Sequence, residues 1–206
     1  MNPGRLRSDL EFAESGSETE DGIVTYGEAF TFQPFNNTVS ALPMTGAQIQ
    51  SVVEEQCQPG DADLPVLHLG DSDGFTHELA ITTQGTTCTA IEVSNVQIDG
   101  RAIDATATYD VAVNNFLADG GADFDTFAEI DTADRVPGPQ DIDALLDYFE
   151  TEGTVAPPGT DRVDETFTVL TAPSTTRSSV TVHSPVAARS YSTWPDAAMS
   201  LPMPRP

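Results

Sequence analysis

A chain of 206 residues is long enough for one substantial domain, or one domain and a tail. Its 33 acidic residues face only 8 basic ones, all Arg, and the net charge of -25 excludes nucleic acid and anionic membrane as partners. An apolar share of 38% allows a folded core, while an acidic, lysine-free composition suits a protein hydrated in high salt and points to a salt-loving source.

The first five residues contain no apolar run of the kind a signal peptide needs, and nowhere does the chain approach the ~18 consecutive apolar residues of a membrane span. Residues 11–21 read as an acidic, solvated loop. A structured run begins at residues 22–26 and leads through Phe30 and Phe32 into Gln33-Pro34-Phe35-Asn36-Asn37-Thr38. Residues 38–42 read as a strand. Thr45-Gly46-Ala47-Gln48 is a capping box, and the helix it opens carries Ile49, Val52 and Val53 at helical spacing up to Gln56. Short strands are expected at 64–69, 75–83 and 89–98, with Asp99-Gly100 turning the chain toward Ala102-Ile103.

Residues 109–114 are again strand-like, and they run into Asn115-Phe116-Leu117-Ala118-Asp119-Gly120-Gly121. Paired glycines let the backbone approach a ligand closely, which would leave the Phe116 ring at a strand tip, either as a stacking surface or as part of the core. A second acidic loop follows. Residues 141–148 form a helix with Ile142, Leu145, Leu146 and Phe149 along one stripe and Gly153 as its stop, and residues 163–170 form a last strand. These elements predict an α+β fold: a mixed, mostly antiparallel sheet with a few packed helices, plus a disordered C-terminal tail. The domain covers residues 1–172, which hold 32 acids and 5 Arg. The tail, 173–206, holds one acid, Asp196, and three Arg in a Ser, Thr, Pro and Ala background without periodicity. Cys57 and Cys88 can close a loop of about 30 residues, worth about 3 kcal/mol, or remain two buried thiols; sequence leaves both open.

Three polar-aromatic segments stand out: Asn2-Pro3-Gly4-Arg5-Leu6-Arg7, residues 33–38 and residues 115–121. Planar bases need aromatic faces, and ribose hydroxyls and phosphates need Asn and Arg donors. Arg7 can instead pair with Asp9 or Glu11. The three segments, in this order, resemble the C-terminal domain of the 5′-nucleotidase family of metallophosphatases, whose members carry Asn-x-Gly-Gly-Ile-Arg, Pro-Phe-Gly-Asn and Asn-Phe-Leu-Ala-x-Gly-Gly-Asp-Gly-Phe. Residues 22–28, 42–46 and 99–104 also look like the family pattern, so the resemblance spans residues 2 to about 170.

The resemblance implies that Phe35 and Phe116 sandwich a nucleobase, that Asn2 and Arg7 contact the ribose or phosphate, and that Asn37 is a polar neighbour of the first ring. Ala122 stands where the family has the Asp that holds the ribose, with Asp123 one place later, and Arg5 replaces a Gly. It further implies a divalent metal pair in an N-terminal catalytic domain, and an extracellular or cell-surface location. This chain is expected to bind no cofactor itself. Its only histidines are His68, His77 and His183, none at ligand spacing, and Asp71-Ser72-Asp73-Gly74 reads as an acidic turn rather than a cation loop. The expectation is therefore a nucleotide- or nucleoside-binding domain, inactive alone and lacking the preceding part of a longer protein, with a separately encoded metallophosphoesterase domain as partner. A relic or interaction module, or the same domain from a cyclic-nucleotide or nucleotide-sugar hydrolase, is the alternative.

Overall fold

Thr25 and Thr45 open the first two helices by the same device. Each threonine side chain accepts from the backbone N–H three residues on, and Glu28 or Gln48 reaches back to the threonine N–H at 2.8 Å and 3.0 Å. The sequence predicts the second of these helices but not the first, whose seven residues are too few to display an apolar period. The computed structural model describes residues 6–13, 20–60, 62, 64–156, 159 and 161–170, with backbone alone for 180–183 and 199–200.

In chain order the elements are α1 (Tyr26–Phe32), β1 (Thr38–Thr45), α2 (Gly46–Glu54), β2 (Phe75–Gln84), β3 (Thr87–Ile98), β4 (Arg101–Ala102), β5 (Thr108–Asn114) and α3 (Asn115–Ala118). They continue with α4 (Asp125–Ala128), β6 (Val136–Gln140), α5 (Asp141–Glu152), β7 (Thr154–Val155), β8 (Val163–Leu170), β9 (Val180–His183) and β10 (Met199–Ser200). β1 lies between β5 and β6 in an antiparallel three-stranded sheet. A second sheet has the order β4-β3-β2-β8-β9, antiparallel except for the β2–β8 pair. This is the expected α+β arrangement.

α2 sits between the two sheets and explains how they share one body. Its Ile49 and Val52 join Leu42 and Met44 of β1, Leu117 of α3, and Phe124 and Phe127 in one buried cluster. Its Val53 turns the other way, onto Leu79, Ile81, Cys88 and Ile91 of the larger sheet. Leu10, Val24, Ala29 and Phe149 form a third cluster that packs α1 against α5. Cys57 and Cys88 are joined in a disulfide with Cα atoms 5.5 Å apart, which ties the chain just after α2 to β3.

Three expectations change. Residues 64–69 do not form a strand beyond a single bridge from Val66 to Cys57. Their backbone groups are taken by the exit of α2: Leu67 N–H donates to Gln56 O, Leu69 N–H to Gln56 Oε1, and Pro65 O accepts from Gln58 N–H. The acidic loop after Gly121 contains α4 and β6. β6 carries Pro137 and Pro139, which hide it from pattern reading yet are tolerated on an edge strand. α5 extends to Glu152, ending at Gly153 with φ of 71°. Of the segment expected to be disordered, 173–206, most lies outside the described residues; the backbone of β9 pairs with β8 and that of β10 with β7.

Candidate functional site

The second and third polar-aromatic segments leave the same end of one strand pair. β1 and β5 are in register with Val39 opposite Asn114, so the residues before Val39 and after Asn114 emerge together. A side-chain bond fixes them: Thr38 N–H donates to Asn115 Oδ1 at 2.9 Å. Phe35 and Phe116, 81 positions apart in the sequence, thus stand on adjacent loops. Both rings are half-buried. Asn36, beside Phe35, takes a left-handed φ of 50°, which Asn tolerates better than most residues.

Phe116 is not at a bare strand tip as the sequence suggests. One helical turn, α3, intervenes, and Asn114 caps it by accepting from Leu117 N–H at 2.9 Å. Leu117 and Ala118 then enter the core while Phe116 packs only partly against it. Gly120 turns the chain with φ of 82°, and Gly121 passes so close to the Phe116 ring that a Cβ would lie 2.5 Å from its Cε1 and Cζ. The glycine pair therefore lets the loop back the ring directly. Asp123 is exposed, and both it and Ala122 are held at positive φ, 61° and 60°.

Arg7 stands against the Phe35 segment. Its N–H donates to Phe32 O at 3.1 Å, and its guanidinium lies 5.0 Å from the centroid of the Phe35 ring, a cation–π contact on an exposed side chain. Among the described residues the close acid–base contacts involve His68, His77, Arg135 and Arg162, not Arg7 with Asp9 or Glu11. Asn2 and Arg5 lie outside the described residues. Asn37 is buried, and its Nδ2 donates to Asp141 Oδ2 at 3.2 Å while its carbonyl accepts from Asp141 N–H at 2.7 Å. Asp141 Oδ1 in turn accepts from Ile142 N–H, so Asn37 fastens the Phe35 loop to the start of α5.

A cleft of about 180 Å³ opens beside these loops, lined by Gln33, Val39, Val113, Asn114, Leu117 and Asp141 among others. Asn114 and Asp141 are polar wall residues that the motif comparison does not single out. Their signal in sequence is only that each stands at a helix start.

His68 and His77 stand elsewhere, at the larger sheet. His68 Nδ1 lies 3.1 Å from Glu165 Oε1, and His77 Nδ1 lies 3.9 Å from Asp71 Oδ2. His77 is 4% exposed, and neither ring nitrogen has a hydrogen-bond partner among the described residues. Burial pushes it down to about 4, so the imidazole is neutral at pH 7 and the contact with Asp71 is not an ion pair. Burial pushes Asp71 up to about 6, opposed by Arg162 and His68. Arg162 pairs with Asp73 and donates to Asp71 O, which ties residues 71–74 to the start of β8. Among the described residues no three His, Cys, Asp or Glu side chains are grouped to hold a metal ion, so they do not fit the metal pair the family resemblance implies.

Fold and loops together define an α+β domain that presents two aromatic residues and an arginine at one end of a strand pair. Residues 1–129 match the family described as 5′-nucleotidase, C-terminal domain, and the chain belongs to that family. It is 28% identical over 152 residues to the Endonuclease YhcR of Bacillus subtilis (strain 168), covering 73% of this chain and 11% of that protein. It is 29% identical over 128 residues to the NAD 5′-nucleotidase of Haemophilus influenzae, covering 59% of this chain and 21% of that one. The chain thus spans about a tenth to a fifth of the length of these relatives. The crystal structure of the 5′-nucleotidase precursor from Thermus thermophilus shares the fold, with a TM-score of 0.55 and 24% identity over 80% of this chain and 30% of that one.

Proposed function

We propose that this chain is the substrate-binding part of a 5′-nucleotidase-like phosphoesterase in nucleotide catabolism, holding a nucleobase between Phe35 and Phe116. The observation that carries the reading is the Thr38–Asn115 bond, which brings both aromatic loops to one strand end. Arg7, over Phe35, supplies positive charge in a chain of net charge -25 and is the candidate donor to phosphate. Asn2 shares that role, Asp123 takes the ribose from one place beyond Ala122, and Asn37 fixes the Phe35 loop through Asp141. Residues 1–172 act as one domain, with 173–206 as a tail.

Hydrolysis is assigned to a metal-bearing domain outside these residues, on the same polypeptide or encoded separately. The small share of its relatives that this chain spans leaves room for one. The disulfide, and the word precursor in the name of the Thermus protein, support an extracellular or cell-surface setting. Acidity supports a salty one.

Titrating the salt-refolded chain with adenosine or AMP is expected to shift the ring signals of Phe35 and Phe116. Stacking contributes about 1–3 kcal/mol per base, so Phe116→Ala should weaken binding roughly fivefold or more. No binding, or binding unchanged in Phe116→Ala, removes the reading. Co-expression with the upstream coding sequence, followed by Mn²⁺-supplemented AMP hydrolysis, tests the division of labour, and activity from this chain alone would overturn it. The second reading is an interaction module whose ligand site has eroded, and Ala122 in place of the ribose-holding Asp is the residue that favours it.

A further inference from the structure

The stretch behind Phe116 is held in a conformation its own residues disfavour. Ala122 and Asp123 are consecutive non-glycine residues at positive φ, 60° and 61°. Such backbone persists only where the surroundings impose it. Two side chains from the exit of α2 do so. Gln58 is 6% exposed, and its Nε2 donates to Ala122 O at 3.2 Å and to Glu55 O at 3.1 Å. Glu55 Oε1 accepts from the backbone N–H of Thr126 at 2.9 Å and from its hydroxyl at 2.7 Å. The disfavoured pair is therefore pinned at Ala122 and again at Thr126. Cys57 lies between the two pinning residues, and its disulfide to Cys88 fastens that turn to β3. Gly121 immediately precedes the pinned stretch, with the Phe116 ring against it.

We propose that residues 55–58 are a positioning bracket for the base-binding loop: Gln58 and Glu55 set the Phe116 ring through Ala122 and Gly121, and the Cys57–Cys88 disulfide keeps the bracket in place. Gln58 and Glu55 each act through the backbone they hold. A dithiol reductant would split the disulfide, two electrons and two protons giving the two thiols while the dithiol closes to its own disulfide. The loop would then relax and the ligand site loosen. A chain in an oxidising medium would thus have its site set, and the same chain in a reducing one would not. The affinity arm of this inference rests on the nucleotide reading; the conformational arm does not.

The test uses the full chain without ligand, labelled to show the Ala122 methyl and the Phe116 ring by NMR, and then with adenosine as the probe. Gln58→Met keeps the length of the side chain and removes its donors. The expected result is that both signals shift or broaden while Leu10 and Val24, in the cluster between α1 and α5, keep theirs. Adenosine affinity should fall roughly five- to tenfold, the scale of one lost hydrogen bond. Dithiol treatment of the wild-type chain should move the same two signals in the same sense, and it serves where the variant does not fold. Unmoved Ala122 and Phe116 signals in both cases overturn the proposal. A wild-type chain that binds no adenosine counts against the nucleotide reading, while shifted ring and methyl signals in that chain still support the bracket.

Discussion

At Gly121 one missing carbon decides where an aromatic ring can lie. A Cβ would stand 2.5 Å from Phe116 Cε1, Cζ and carbonyl oxygen, and the carbonyl, being backbone, cannot swing away as a ring can. Gly121→Ala is therefore expected to cost about 1–3 kcal/mol, typical of overpacking, and to displace the ring. Gly27 is a fair contrast. It lies within α1 with only Thr25 Oγ1 at 3.9 Å, so Gly27→Ala should be neutral or stabilising by about 0.5–1 kcal/mol. Denaturant unfolding of the two variants checks both values, and equal stabilities would defeat the contrast. Turn chemistry and scarce positive charge mark Phe35, Phe116 and Arg7 locally in the sequence. Gln58 and Glu55 carry no such mark, since their partners lie 64 and 71 positions away and such bonds leave no local pattern.

Among the elements, those with a period or a cap could be read from sequence: α2 from its capping box, α5 from its stripe and Gly153, and β2, β3, β5 and β8 from β-branched runs. Residues 64–69 carry a strand's composition, yet their backbone donors go to Gln56, a choice made by tertiary packing. The same segment leads to Asp71, which meets His77 of β2 among His68, Glu165 and Arg162. The two buried groups respond oppositely to acid. His77 titrates near 4 folded against 6.5 unfolded, so its contribution is full above 6.5 and is lost as pH falls toward 4. Asp71 titrates near 6 folded against 3.8 unfolded, so its contribution grows as pH falls through that window. Each amounts to about 3 kcal/mol, and in the wild type they largely cancel. His77→Phe should thus gain stability relative to wild type between pH 7 and 4.5, and Asp71→Asn should lose it. Urea melts at the two pH values decide this; parallel changes in both variants would show that the pair does not titrate as described.

For the molecule as a whole, a charge of -25 without a single lysine means that compaction brings like charges together. Salt shortens the range of that repulsion to about 3 Å at 1 M. The melting temperature should therefore climb between 0.1 M and 2 M KCl, and a flat or falling curve above 0.3 M would contradict the account. Topology adds a second constraint. β2 is covered on one side by β3, its immediate successor, but on the other by β8, which pairs with it in parallel about 80 residues later. The family match ends at residue 129, before β8 begins. A polypeptide of residues 1–156 should consequently self-associate through the bare edge of β2, while the full chain, in which β8 covers β2 and β9 covers β8, should not, as read by light scattering. The same geometry bears on synthesis. At 5–20 residues per second, a ribosome takes roughly 4–16 s to deliver the strand that shuts this edge. During that interval each nascent chain offers its neighbours on a polysome a ready pairing partner, and the crowd of carboxylates already made is what keeps them apart.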